Sequence, residues 1–222
     1  MKQFQIVAAC VLSLILAGCA GGHSAMDYSA FKQSKPKSIL VLPPVNHTTE
    51  VLAPYGVLAN VTVPLAEAGY YVFPVALVDE TFKNNGLTVA EDIHAVSLKK
   101  LNDIFGADAV MYLEVQQYGT SYVVLASDTV VEVQARLVDS HSNAVLWQGK
   151  ARAASSEQNG GNRGGVIGML VEAAVTQILE TALDASFEVA STASVRLFSP
   201  ESPTGLLYGP RSPHYGKDKP PK

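Results

Sequence analysis

The sequence predicts a single α/β domain in which one mixed sheet carries flanking helices. Three observations give that class. Ile39-Leu40-Val41-Leu42, closed by Pro43-Pro44, is a short continuous apolar run, the pattern of a strand buried on both faces. Stretches of helical period follow, from Ala53 to Ala68 and from Ser97 to Phe105. After Gly106 the period becomes two. Clean alternation from Val131 to Leu137, the turn cluster Asp139-Ser140-His141-Ser142-Asn143 and the return over Ala144 to Ala153 form an antiparallel hairpin.

The chain opens ahead of that domain with a charged Met1-Lys2, an apolar run from Ile6 to Leu16 and small residues before Cys19, the three parts of a secretory signal. In Leu16-Ala17-Gly18-Cys19 the thiolate of Cys19 can take a diacylglycerol, and small Ala17 and Gly18 let a peptidase reach the backbone. An ordinary signal needs no cysteine there, and the run is about half of the ~20 apolar residues that span a bilayer. Residues 1–18 are thus expected to leave as a lipoprotein signal peptide and Cys19 to carry palmitate and related acyl chains. Several chains together make attachment durable, at about 0.8 kcal/mol per buried CH₂. Ala20, where an Asp would favour the inner membrane, points to the cell outer membrane, with the periplasmic or surface face left open.

Without the signal, 15 Lys and Arg face 20 Asp and Glu, a net charge of −5. That argues against nucleic acid as a partner and against a basic membrane-surface patch. Cys10 leaves with the signal and Cys19 is acylated, so the body has no disulfide, thiolate metal site or cysteine nucleophile.

Residues 19–37, small and polar, read as a lipidated flexible tether reaching at most ~60 Å. The domain occupies 38–198. In the helix over Ala53 to Ala68, Gly69 is the stop and Pro64 should kink or split it. Tyr70 to Val75 reads as a second strand buried on both faces, and Val78 to Phe82 as a short helix ending near Asn84-Asn85-Gly86. Ser97 caps a helix with Leu98, Leu101, Ile104 and Phe105 on one side. Ala109 to Val115 is a strand, Tyr122 to Ala126 another, and Trp147, the only tryptophan, a core or sheet-face anchor, with a ligand platform as the second reading. A Gly-rich loop over Asn159 to Gly168 precedes the longest helix, Val166 to about Glu188, ~33 Å at 1.5 Å per residue. From Ser199 to Lys222 six prolines and three glycines read as a disordered Pro-rich tail.

Catalytic patterns are missing. The Gly loop has no Lys-Ser/Thr after its last glycine and no Gly triplet at i, i+2 and i+5, so neither nucleotide fingerprint fits. The five histidines (His23, His47, His94, His141, His214) are scattered, with no His-Glu-x-x-His motif and no Gly-x-Ser-x-Gly elbow. Asp139 and His141 sit in a hairpin turn, and Glu91-Asp92 at a helix start, where such residues occur for backbone reasons. The expectation is no enzyme, no cofactor and no metal.

The long helix is the best functional clue. Glu172, Glu180, Asp184 and Glu188 form a narrow polar stripe, and nearly everything else is apolar or small. An ordinary surface helix shows an apolar stripe of only ~100° or a little more. Either another element of the chain covers the remainder or a second subunit does, and the subunit is favoured because few helices remain. Leu170, Ala174, Ile178 and Ala182 are the expected dimer interface, with Ala173 and Ala185 lowering its profile and Phe187 adding bulk.

The strand ending Leu42-Pro43-Pro44, the segment Phe105-Gly106-Ala107-Asp108-Ala109-Val110 and the hairpin ending Leu146-Trp147-Gln148-Gly149-Lys150 resemble the mixed α/β domain of the TolB amino-terminal and CsgG-like lipoproteins. Over essentially the whole chain the sequence is similar to the neisserial genome-derived-antigen outer-membrane lipoprotein family. The resemblance implies a homodimer, surface-antigen character, and a structural or assembly part in an envelope transport system with other envelope proteins as partners. It carries over no catalytic residues. A second reading is an accessory lipoprotein that docks on and activates a periplasmic cell-wall enzyme. Compared with the CsgG pore former, no pair of alternating strands reads as long enough for a transmembrane β-hairpin.

Overall fold

Ile39, Leu40, Val41 and Leu42 lie at the centre of the molecule with essentially no exposure, as an apolar run closed by prolines requires. The structure is a computed structural model that describes residues 26–123, 126–158, 175–202 and 204–218, with backbone only at 121–123, 126–127, 158 and 175–184. Strand β1 (Ser38–Val41) pairs in parallel with β3 (Tyr71–Val72) on one side and with β4 (Ala109–Val123) on the other. The two-residue β2 (Val45–Asn46) pairs in parallel further along β4. Antiparallel β5 (Ala126–Asp139) and β6 (Val145–Ala154) complete the order β3-β1-β4-β5-β6, and the single-turn helix α6 (Ser155–Gln158) follows β6. The sheet is mixed and helices flank it, so the α/β class read from the sequence holds.

Alternation along β1 and β4 divides the core in two. Ile39, Val41, Ala109, Met111, Leu113 and Val115 pack beneath α2 (Ala53–Glu67) and α7 (Val175–Phe198). Leu40, Leu42, Val110, Tyr112 and Val138 pack beneath α3 (Val75–Asn84), α4 (Ala90–His94) and α5 (Leu98–Phe105). Each fully buried Leu or Ile contributes about 1.5–3 kcal/mol. A two-sided strand is the cheapest way to place four of them in four consecutive positions.

Helix ends follow their residues. Ser97 accepts the Lys100 N–H at 3.3 Å as N-cap of α5, and Gly106 at φ +65° closes that helix in the left-handed region. At the end of α2 the Gly69 N–H reaches the Ala66 carbonyl and the Tyr70 N–H the Leu65 carbonyl, a Schellman stop with Gly69 at φ +100°. Leu101 is buried on α5 as expected, and Phe105 packs against the second core, whereas Ile104 is half exposed.

Several sequence expectations are corrected. Pro64 does not split α2, which runs unbroken from Ala53 to Glu67: it sits one turn before the Ala68 C-cap, is buried and removes one hydrogen bond. The second strand shrinks to Tyr71–Val72 at the sheet edge, because Pro74 already caps α3. Tyr122 to Ala126 is no separate strand. Its described residues, Tyr122, Val123 and Ala126, belong to one long antiparallel pair in which β4 and β5 have 15 and 14 residues. The strands are therefore longer than the sequence reading allows, since the polar stretch from Gln116 to Thr120 keeps its ladder beyond a shift at Val115/Gln117. No described helix is long and apolar enough to cross a membrane. Helix α7 continues ten residues past Glu188, with Ser194 and the apolar Val189, Ala190, Ala193, Leu197 and Phe198 buried.

Both expected flexible ends are packed where the structure describes them. Within the expected tether, helix α1 (Ser29–Ser34) buries Phe31, preceded by buried Tyr28, and the Ser34 hydroxyl donates to the Asp139 carboxylate. In the expected tail Leu206 and Leu207 are buried, and three side chains capture the backbone. Trp147 Nε1–H donates to the Thr204 carbonyl at 2.9 Å, Tyr28 Oη–H to Gly205 at 2.6 Å and Tyr70 Oη–H to Leu207 at 2.5 Å. The Gly209 N–H bonds the Ala68 carbonyl at 2.7 Å and the Arg211 N–H the Gly69 carbonyl at 3.1 Å. Proline-rich chain has less conformational entropy to lose than its composition suggests, and these bonds satisfy its backbone without regular structure. Residues 204–211 form a strap across the first core.

Candidate functional site

Helices α2 and α7 lie side by side on the first core, joined where Asn60 Nδ2–H donates to the Phe187 carbonyl at 3.3 Å and to Gly56 at 2.8 Å. Their inner positions explain the packing: Ala53, Val57, Val61 and Leu65 on α2, and Val189, Ala190, Ala193 and Leu197 on α7, are all buried. Gly56 allows close approach, since a Cβ there would stand 2.2 Å from the Tyr118 hydroxyl of β4.

The outer side of this layer also carries exposed apolar side chains. Tyr55 is 54% exposed and Val63 58% on α2, and Phe187 47% and Val195 51% on α7. A helix apolar inside and outside has more greasy surface than one sheet face can cover. Excess apolarity marks α2 in the sequence as well as the long helix, since Leu52, Tyr55, Ala59, Val63 and Ala66 recur at steps of three and four on the side away from the core.

The sequence-predicted site residues fall as follows. Cys19, Leu170 and Ala174 lie outside the described residues, as does the Gly-rich loop. Ile178 and Ala182 fall on α7, where the backbone alone is described. Where side chains of α7 are described, Phe187 and Val195 are its exposed large apolar residues.

A second surface lies on the other side of the sheet, where α3, α4 and α5 stop short of β5 and β6. Tyr112, Glu114, Gln134, Arg136, Gln148 and Lys150 line an open concavity of about 500 Å³. Arg136 stacks over the Tyr112 ring at 4.8 Å, and His94 meets the same ring edge-on at 5.2 Å. His94 Nε2–H donates to the Pro43 carbonyl at 2.9 Å, and burial holds its imidazole below the usual histidine range. His47 pairs with Glu114 at 3.2 Å and Lys150 with Glu132 at 2.7 Å. These groups satisfy one another. None is a hydroxyl or amine nucleophile held against a base that is itself oriented by a third group.

Asp139, the carboxylate at the start of the Ser140-His141-Ser142 turn, is occupied structurally. It accepts the His141 N–H at 3.0 Å, the Ser142 N–H at 2.7 Å and the Ser142 hydroxyl at 2.9 Å as well as Ser34. Burial alone would raise its carboxyl, but these bonds together hold it below the ordinary range. Among the described residues no group of three His, Cys, Asp or Glu could hold a metal ion.

Comparison with known proteins places these features. The family described as "Putative lipoprotein GNA1162-like" matches residues 26–211. "Putative lipoprotein NMB1124/NMB1162" of Neisseria meningitidis serogroup B is 52% identical over 185 residues, 83% of this chain and 85% of that protein. The crystal structure of lipoprotein GNA1162 from Neisseria meningitidis is similar with 52% identity and a TM-score of 0.52, covering 65% of this chain and 99% of that one. The PelC dodecamer from Paraburkholderia phytofirmans is 11% identical with a TM-score of 0.42, over 79% of this chain and 90% of that one.

Proposed function

The chain belongs to the GNA1162-like lipoprotein family, and from that premise we propose that it is a non-enzymatic, lipid-anchored component of the bacterial outer membrane that works as a self-associated scaffold for an envelope transport or assembly system. Membership of a lipoprotein family implies a lipid-anchored membrane location, and in this chain Cys19 is the residue that takes the lipid. The observation that carries the scaffold reading is the α2–α7 layer: Tyr55, Val63, Phe187 and Val195 leave apolar side chains exposed on its outer side among the described residues. A two-fold copy covers such a face with itself. The paired, solvated groups of the open sheet face support a binding surface rather than a catalytic one.

Two experiments test this. Cys19→Ser should abolish incorporation of labelled palmitate and release the protein from the membrane fraction; retained label refutes the anchor. A photo-crosslinking residue at Val63 or Val195 in cells should give a band at twice the chain mass. Crosslinks to a peptidoglycan synthase with none to a second copy would replace the scaffold by an accessory activator.

A further inference from the structure

The packing of the N-terminal segment changes where the body sits. With Met26 onward held against the domain, only seven peptide steps separate Cys19 from the folded chain, at most ~25 Å. A folded body of this size is about 40 Å across, so one face must stay within tether reach of the headgroups. That face is α1 with the strap behind it. Phe31, Lys32, Lys35, Tyr208, Tyr215 and Asp218 line a shallow depression of about 350 Å³ on it.

Charge is distributed to match. Residues 19–37 and 199–222 carry seven Lys or Arg and three Asp or Glu, against eight and seventeen in residues 38–198. The net charge of −5 hides this division. Of the described cations in the body, Lys83, Lys99, Lys150, Arg152 and Arg196 pair with carboxylates, Arg136 stacks on Tyr112, and Lys100 alone is exposed without an ion pair to any described residue. By contrast Lys32, Lys35, Lys37, Arg211 and Lys217 are exposed and make no ion pair with any described residue. Of the acids at this face, Asp218 accepts the Tyr208 N–H at 2.7 Å and Asp27 accepts the Ser29 N–H and hydroxyl. Exposed Tyr215 beside the lysines adds a side chain suited to the headgroup layer.

We propose that the α1–strap face of the anchored protein lies on the anionic headgroups of its own membrane, with Lys32, Lys35 and Lys217 as the principal contacts. This rests on acylation of Cys19. It orients the molecule: the lipid and the basic face meet the membrane, and the acidic body with the open sheet face points away. Each cation near an anionic surface favours contact by roughly fivefold.

The test uses the full lipidated protein with one introduced cysteine, Lys35→Cys or Lys99→Cys, labelled with bimane. Lys99 is on α5, beneath the opposite face of the sheet. The protein is reconstituted in phosphatidylcholine vesicles with about 30% phosphatidylglycerol and a headgroup nitroxide lipid. Quenching at position 35 should exceed that at 99 severalfold. The difference should collapse in pure phosphatidylcholine and on adding Lys32→Glu with Lys217→Glu. In the non-acylated Cys19→Ser chain, the same reversals should lower partition onto the anionic vesicles by roughly 25-fold or more. Protein that never stays with vesicles overturns the anchor and this inference together. Anchored protein with equal quenching at both positions overturns this inference alone, as does a difference indifferent to lipid charge. A difference that appears only on adding membrane proteins would assign the face to an acidic protein and overturn the lipid assignment.

Discussion

The Tyr70 hydroxyl donates to the Leu207 carbonyl at 2.5 Å, joining the end of α2 to a segment 137 residues later. Burial pushes this phenol up, so it remains a donor throughout the physiological range. The bond closes the strap over the core next to the helix that carries half of the proposed association face.

Removing residues 199–222 should therefore lower the unfolding free energy by several kcal/mol. Leu206→Ala alone should cost about 2–5 kcal/mol, as for other fully buried leucines. Tyr70→Phe should cost about 1–2 kcal/mol, by leaving a buried carbonyl unpaired. Urea titration checks all three, and an unchanged midpoint in the truncated chain would mean that the strap does not hold the core.

Trp147 supplies the probe and a second prediction. It is fully buried against Phe198 at 5.8 Å, and its ring lies over Gly149, where a Cβ would stand 2.3 Å from the indole. Emission should be blue-shifted and shielded from iodide. Gly149→Ala should destabilise by about 1–3 kcal/mol through overpacking and redden the emission.

His94 sets a pH dependence. Its folded pKa lies below the ordinary 6.5 because burial disfavours the imidazolium. As pH falls below 6.5 the unfolded chain takes up the proton first, so stability present above that value is lost on acidification. Urea midpoints measured from pH 7.5 to 5 should decline, and His94→Gln should flatten the part of the decline that begins near 6.5. An identical decline in the variant would place the effect on other groups.

Much of this fold is legible in local pattern, because its causes are local. The β1 run, the Ser97 cap, the Gly69 and Gly106 stops and the hairpin turn around Asp139 are each decided within a few residues. The misread parts depend on distant partners. Nothing near Leu206 signals that Tyr28, Tyr70 and Trp147 would hold its neighbouring carbonyls, and nothing near Phe31 signals the core beneath it. The continuation of α7 past Glu188 was hidden by Ser191, Thr192 and Ser194, residues that usually end helices but here include a buried position. Of the candidate association face, the excess apolarity of the long helix was legible. Its described outward positions and the matching surface of α2 emerge once both helices are seated on the sheet.

Sedimentation equilibrium on the mature Cys19→Ser chain, alone and with Val63→Glu or Val195→Glu, is the decisive comparison. The parent should sediment at twice the chain mass at micromolar concentration, and each variant as a folded monomer with the Trp147 emission unchanged. These exposed sites can accept a charge without burying it in the monomer, but a dimer would have to bury it unpaired. A parent that is monomeric at high micromolar concentration, or variants that still dimerise, would contradict self-association through the α2–α7 face.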